Sequence, residues 1–290
     1  MTEAGTGRIF RLVAVATATI ILSTFPLRLA HARAPLSYLW SFGEPAGQIL
    51  PLTWGLFILS LFVIFVIGML VLVGVLVRRY REPWRIGTDV PVTAGGSGAL
   101  NVVYGGLIVT VAILTGFIVW TIATMVGISS PQAKVPFTIQ ITAHQWWWQV
   151  EYLSPDTSQR FVTANEIHIP VGEPIRFKLR SEDVIHSFWV PALAGKTDVI
   201  PGHPNQMWLK ADKPGIYRGQ CLEYCGRQHA HMAFRVFADT PEQFARWWQN
   251  QLKAAPAPTT EEAKTGLHDF LLQCSACHAI RGTPAGGTLG

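Results

Sequence analysis

The run Cys221-Leu-Glu-Tyr-Cys225-Gly-Arg-Gln-His229-Ala-His-Met232 gathers two thiols, an imidazole and a thioether within a short stretch of chain. Soft sulfur with imidazole is a ligand set for copper or for zinc. Spacings of four, four and three residues also fit one face of a helix, but Gly226 and the strand-like patterns on either side favour a loop between two strands. A loop can turn several donors onto one site. Upstream, Asp183-Val-Ile-His186-Ser-Phe-Trp-Val-Pro191 offers a second histidine at a strand end. The alternatives to copper are a structural zinc held by Cys221, Cys225, His229 and His186, which leaves Met232 without a role, and a disulfide between Cys221 and Cys225. His231 reads as a solvated strand residue, and Asp183 as a turn acid.

A second constellation, Cys274-Ser-Ala-Cys277-His278, is C-x-x-C-H, the attachment pattern for c-type haem through two thioether bonds and an axial imidazole. The residues Trp146-Trp147-Trp148 are ambiguous by themselves, because aromatics in a strand usually pack a core.

These groups need elements to position them. After Pro131 the chain breaks into short β-branched and aromatic runs separated by Pro, Gly and Asp, which predicts strands at 137–143, 147–153, 166–170, 175–180, 185–190, 206–210, 215–220 and 231–238. Strands so spaced indicate an antiparallel sandwich or barrel. Thr240-Pro241-Glu242-Gln243 supplies a cap, a proline at the first helical position and an acid in the first turn, predicting a helix to about residue 252. Residues 254–260 read as a linker, and a second helix begins near Thr260.

The first half of the chain has a different chemistry. The whole sequence is 49% hydrophobic and only 14% charged, against roughly a quarter charged in soluble proteins, which argues against a purely soluble fold. Residues 52–77 and 90–130 contain no charged side chain, and two transmembrane helices are predicted at about 52–77 and 102–128. Four arginines between Arg78 and Arg85 assign the connection to the cytoplasm and both ends of the hairpin to the outside. Residues 94–98 read as a flexible connector. Arg8 and Arg11 before an apolar run, with small residues around Ala32, predict a signal peptide over 1–32, cleaved after Ala32. Residues 1–128 carry eight Arg and four acids, a net +4, so the basic balance belongs to the membrane end and gives no indication of nucleic acid.

A distant histidine followed by a Cys/His/Met loop is the chain order of cupredoxin copper proteins. The fuller pattern adds Ala143-His-Gln-Trp146-Trp147-Trp148 and Lys196-Thr-Asp198-Val-Ile-Pro-Gly202, and it resembles subunit II of haem–copper cytochrome c oxidases over nearly the whole mature chain. The resemblance implies an α+β membrane protein: a two-helix hairpin (33–130), an all-β cupredoxin-like Greek-key sandwich (131–253), and a cytochrome c-like segment (261–290). It also implies that Cys221 and Cys225 bridge the two coppers of a copper A centre. One copper is completed by His186 and Met232, the other by His229 and the backbone carbonyl of Glu223. The Glu223 carboxylate would reach a Mg²⁺ or Mn²⁺ shared with subunit I, and Asp198 would lie at that interface. Trp146 would accept electrons from cytochrome c, and haem in subunit I would then reduce oxygen to water, coupled to proton translocation. The implied partners are subunits I and III and the lipid bilayer, and the location is a bacterial inner membrane with the copper domain on the periplasmic side.

Departures from that pattern are also visible. Residues 90–130 hold no acid where family members often carry a glutamate at the mouth of a proton channel; Asn101 lies about there. The near-neutral sandwich predicts a weak acidic docking patch for cytochrome c. Gly266-Leu-His-Asp-Phe270 resembles the first helix of class I cytochromes c, but no methionine follows His278, so a truncated cytochrome c-like extension without its second axial ligand is expected. A quinol oxidase subunit II would lack the thiolates, nitrous oxide reductase would need a large propeller, and a copper carrier or assembly module remains the binding-protein alternative.

Overall fold

The computed structural model describes residues 36–81, 97–131 and 133–288, all but the first two within one unit, Tyr38–Gly290. The expected signal peptide and residues 82–96 of the connection, Arg85 among them, lie outside the described residues.

Among the described residues two long helices come first: α1, Glu44–Arg81, and α2, Ser97–Ile128. Their apolar stretches, Glu44–Leu76 and Leu100–Ile128, are long enough to cross a membrane, and large side chains such as Phe62, Phe65, Leu107 and Val119 stay exposed around them. Both helices exceed the predicted bounds. The first passes through Pro51 and begins with an acid and a proline, Glu44-Pro45, in its first turn. The second already includes Ser97 and Gly98, so the connector ends sooner than expected. Near the outer ends Gly55 sits against the ring of Trp120, with Phe117 beside it; an added Cβ would lie 3.0 Å from that ring. The absent side chain is what lets the helices approach.

Ten strands follow: β1 Thr138–His144, β2 Trp147–Leu153, β3 Phe161–Ala164, β4 Glu166–Pro170, β5 Ile175–Ser181, β6 His186–Trp189, β7 Thr197–Val199, β8 Asn205–Leu209, β9 Gly215–Cys221 and β10 Ala233–Asp239. They form two five-stranded sheets, ordered β3-β2-β1-β5-β8 and β4-β10-β9-β6-β7. Pairing is antiparallel except for β1 with β5 and β4 with β10, which are parallel. The antiparallel expectation fails there for a topological reason: the chain crosses to the other sheet between β3 and β4 and returns at β5. Residues 161–164 and 197–199, not predicted as strands, are short segments at sheet edges, and each pairs with one neighbour.

The inner faces show the period of two that the sequence promises. Along β5, Ile175, Phe177, Leu179 and Ser181 are buried while Arg176, Lys178 and Arg180 are exposed. Trp148 is fully buried, with its ring 5.4 Å from those of Phe188 and Phe234. Trp148→Ala is therefore expected to cost about 3–5 kcal/mol of sandwich stability, read as a lowered denaturation midpoint of the full chain in detergent. A loss below 1 kcal/mol would mean that this ring is not the centre of the core.

Two further helices, α3 Pro241–Gln251 and α4 Glu261–Gln273, end the fold. Thr240 caps α3 with a capping box through Gln243, and Phe244, Trp247 and Trp248 of α3 pack on Phe137, Tyr152 and Phe161. The sandwich is stitched to the outer ends of the hairpin. Phe42 N–H donates to the Ala192 carbonyl (2.8 Å), Lys210 Nζ to Glu44 (2.8 Å) and Trp208 Nε1 to the Ile128 carbonyl at the end of α2 (2.8 Å). The copper-type loop is thus carried on a rigid sandwich anchored to the membrane helices.

Candidate functional site

β9 ends at Cys221 and β10 begins at Ala233, so the intervening loop is held at its neck by the Cys221 N–H bond to the Met232 carbonyl (2.9 Å). Gly226 makes the turn possible with φ +116°, a conformation that side chains resist. Residues His229–His231 form a single 3-10 turn rather than the start of a strand, and His231 is exposed on it. β6 brings His186 alongside from the same sheet.

Six sequence-predicted groups converge here. The sulfurs of Cys221 and Cys225 are 3.8 Å apart. His186 Nδ1 lies 3.8 Å from Cys221 Sγ, His229 Nδ1 3.5 Å from Cys225 Sγ, and Met232 Sδ 3.7 Å from Cys225 Sγ. The Glu223 carbonyl oxygen is 3.3 Å from Cys221 Sγ. The donor atoms of His186, Cys221 and Cys225 all fall within 4.8 Å of one another. The two sulfurs are too far apart for a disulfide bond and close enough to touch the same ion, since a metal–sulfur bond is about 2.3 Å. His186, Cys221, Cys225 and Met232 are all buried. The donor set fits copper: soft, dry and preassembled.

The two thiols are not equivalent. Burial alone would raise Cys221, but its hydrogen bonds with His186 and the Ser187 backbone outweigh that and lower it to about 7. Burial, with the adjacent Cys221 thiolate second, pushes Cys225 up to about 12. Cys221 is thus the more readily ionised of the two, and a metal that takes both sulfurs must expel whatever protons the pair still holds. Burial opposes charge on His186 too, yet Cys221 and Asp183 together raise it.

Asp183, read from the sequence as a turn acid, is part of the site. One carboxylate oxygen is 2.8 Å from His186 Nε2, and the other accepts the Gln145 N–H at 2.5 Å. Burial would raise its pKa, but these bonds and that of the Val184 N–H hold it below the ordinary carboxylate value. The only sequence signal was an acid three residues before a candidate ligand. Gln145, also missed, donates its side-chain amide to the Cys225 carbonyl (2.7 Å), and Trp146 Nε1 donates to the same oxygen (3.0 Å). The half-buried Trp146 thus links the surface directly to the backbone of a thiol-bearing residue.

Other predicted groups lie elsewhere. Glu223 is exposed, and its carboxylate has no ion pair among the described residues. Asp198 is paired with Lys196 at 3.3 Å. Cys274, Cys277 and His278 share one turn after α4, with the Cys277 and His278 N–H groups both donating to the Cys274 carbonyl (3.1 and 2.9 Å). Cys277 and His278 are exposed.

The family described as "Cytochrome C oxidase subunit II, periplasmic domain" matches residues 137–238. The "Cytochrome c oxidase subunit 2" of Alkalihalophilus pseudofirmus is 32% identical over 247 residues, covering 83% of this chain and 70% of that one. The chain belongs to the cytochrome c oxidase subunit II family. Subunit II is the part of a haem–copper oxidase in which electrons arrive, and its outer domain is the one that carries copper A; the His186, Cys221 and Cys225 cluster stands in that domain here. With two helices able to span a bilayer, this is a membrane protein with an outside domain. The chain is also similar to a subunit of another kind of oxidase: the "Quinol oxidase subunit 2" of Bacillus cereus is 30% identical over 215 residues, covering 73% of this chain and 71% of that one. Among solved structures, the periplasmic domain of subunit II of cytochrome oxidase from Bradyrhizobium japonicum is 35% identical, covers 41% of this chain and 95% of its own, and has a TM-score of 0.38.

Proposed function

We propose that this subunit accepts electrons from cytochrome c at Trp146 and passes them through a copper A centre to haem in subunit I of a bacterial inner-membrane oxidase. The observation that carries the reading is the convergence of two buried thiols with two imidazoles, a thioether and a carbonyl. Copper A, when bound, supplies a one-electron relay. Cys221, Cys225, His186, His229, Met232 and the Glu223 carbonyl would hold it. Donors that are already in place would limit rearrangement on each transfer, with His186, Cys221, Cys225 and Met232 buried. Trp146 supplies an aromatic path from the surface to the Cys225 carbonyl.

Asp183 holds His186 by its outer nitrogen, which orients the inner one toward Cys221. Asp183→Asn is expected to weaken copper retention by about tenfold to a hundredfold, measured by competition with a copper chelator. Unchanged retention would reduce Asp183 to the turn acid of the sequence reading.

Three finer assignments complete the proposal. The free, exposed Glu223 carboxylate would hold a Mg²⁺ or Mn²⁺ with subunit I. Cys274, Cys277 and His278 would carry haem c as a local electron donor. Subunits I and III would surround the hairpin, whose exposed apolar surface needs lipid or protein cover. The second reading, a quinol oxidase subunit, draws support from the relative noted above, and the two cysteines oppose it. Oxygen consumption by the purified complex separates the two: turnover with reduced cytochrome c and little with quinol supports the proposal, and the reverse overturns it.

A further inference from the structure

The segment that bears Cys274, Cys277 and His278 is seated on the sandwich by one side chain. Arg281 Nη1 donates to both the backbone carbonyl and the side-chain oxygen of Gln251, the last residue of α3. Its Nη2 donates to the Val162 carbonyl at 3.3 Å, and the guanidinium carbon lies 5.8 Å from the centroid of the Phe161 ring. Phe161 and Val162 belong to β3, an edge strand whose outer carbonyls have no neighbouring strand. A planar fork with several fixed donors suits such a set of acceptors plus a ring face, and a lysine ammonium does not.

The attachment continues around Arg281. Its own carbonyl accepts the Ala255 N–H at 2.9 Å, so the linker at 254–260 is tied to the same point. Gly282 follows with φ +81°, and a Cβ there would lie 2.4 Å from the Ala254 Cβ. Residues 279–287 fold back onto the cysteine turn through the Ala279–Gly286 bridge and the Gly287 N–H bond to the Ser275 carbonyl (3.1 Å). Pro256 and Pro258 line a cavity of about 580 Å³ together with Leu267 and Phe270 of α4. The linker is thus folded against α4.

We propose that Arg281 is a positioning residue that seats the Cys274–His278 turn on the copper domain in one orientation, so that a group bound to those thiols is held fixed instead of ranging on a tether. The seat rests on the contacts above. Its use in electron transfer rests on the haem reading given under the proposed function. A flexible linker would supply only a high local concentration, whereas a seat also fixes approach.

Limited proteolysis of the full chain in detergent tests the seat without haem. Arg281→Ala is expected to raise the cleavage rate within residues 254–260 about tenfold, as local opening becomes easier. Arg281→Lys should recover only part of the protection, and Gly282→Ala should unseat the segment independently by clashing with Ala254. The denaturation midpoint of the sandwich should not move. Cleavage at the wild-type rate in both Arg281→Ala and Gly282→Ala would overturn the proposal. In haem-loaded, copper-loaded protein, pulsed dipolar spectroscopy should give one narrow iron–copper distance for the wild type and a broad distribution for Arg281→Ala. A broad wild-type distribution would also overturn it. Failure of haem to attach at all would refute the haem reading alone, since the proteolysis still decides the seat.

Discussion

Replacing Cys225 with serine is expected to abolish the copper A spectrum while leaving the chain inserted in the membrane. Cys225 Sγ is the hub of the loop: Cys221, His229 and Met232 all place a donor atom within 3.8 Å of it. A hydroxyl is a harder donor, keeps its proton at neutral pH and cannot bridge two soft ions. Loss of that one sulfur therefore removes a shared ligand from both metal positions. Electron uptake from reduced cytochrome c should fall by about a thousandfold or more, equivalent to at least ~4 kcal/mol in the barrier. Folding should survive, because serine has nearly the shape of cysteine and the strands on either side of the loop are untouched. Optical and paramagnetic spectra of the membrane-inserted variant read the result. An unchanged spectrum would overturn the ligand assignment.

The second large effect is expected at Trp146. Trp146→Leu removes the indole that leads from the surface to the Cys225 carbonyl, while Gln145 Nε2 still donates to that oxygen. The copper centre should keep its spectrum and the oxidase its assembly. The rate of reduction by cytochrome c should drop by about a hundredfold, or ~2.7 kcal/mol. Trp147→Leu is the control: Trp147 stacks on His144 with ring centroids 4.6 Å apart, which is packing, and its loss should leave the rate near wild type. Stopped-flow reduction of the copper by reduced cytochrome c distinguishes the two. Equal rates for Trp146→Leu and the wild type would remove Trp146 from the path.

Much of this site was legible in the residues because its donors are chemically unusual and lie close together. Cys221, Cys225, His229 and Met232 occupy one loop, and few arrangements of two thiols, an imidazole and a thioether serve anything but a soft metal. His186 was legible from its place at the end of a buried strand. Strands such as β2 and β4 were readable because their alternation is clean: β2 buries every second residue. Sheet order was less accessible. Alternation records which face is buried and not which strand lies alongside, so the parallel pairing of β1 with β5 left no local mark.

The supporting groups were hidden for a related reason. Asp183 meets Gln145 across 38 residues of chain, and Arg281 meets Val162 across 119. Neither residue is unusual in its own neighbourhood, and each acquires its role only when the sandwich closes. The linker at residues 254–260 shows the same limit: prolines and alanines indicate an absence of regular structure, which is compatible with a chain packed against a helix. Composition reports conformational preference there and says nothing of contacts.

In the proposed centre two copper ions would share the sulfurs of Cys221 and Cys225 and one unpaired electron. Electron paramagnetic resonance of the copper-loaded, oxidised chain in detergent tests this most directly. An electron spread equally over two copper nuclei gives a seven-line hyperfine pattern, and that is the expected result. A four-line pattern from a single copper would contradict it and leave a mononuclear copper-binding module in its place.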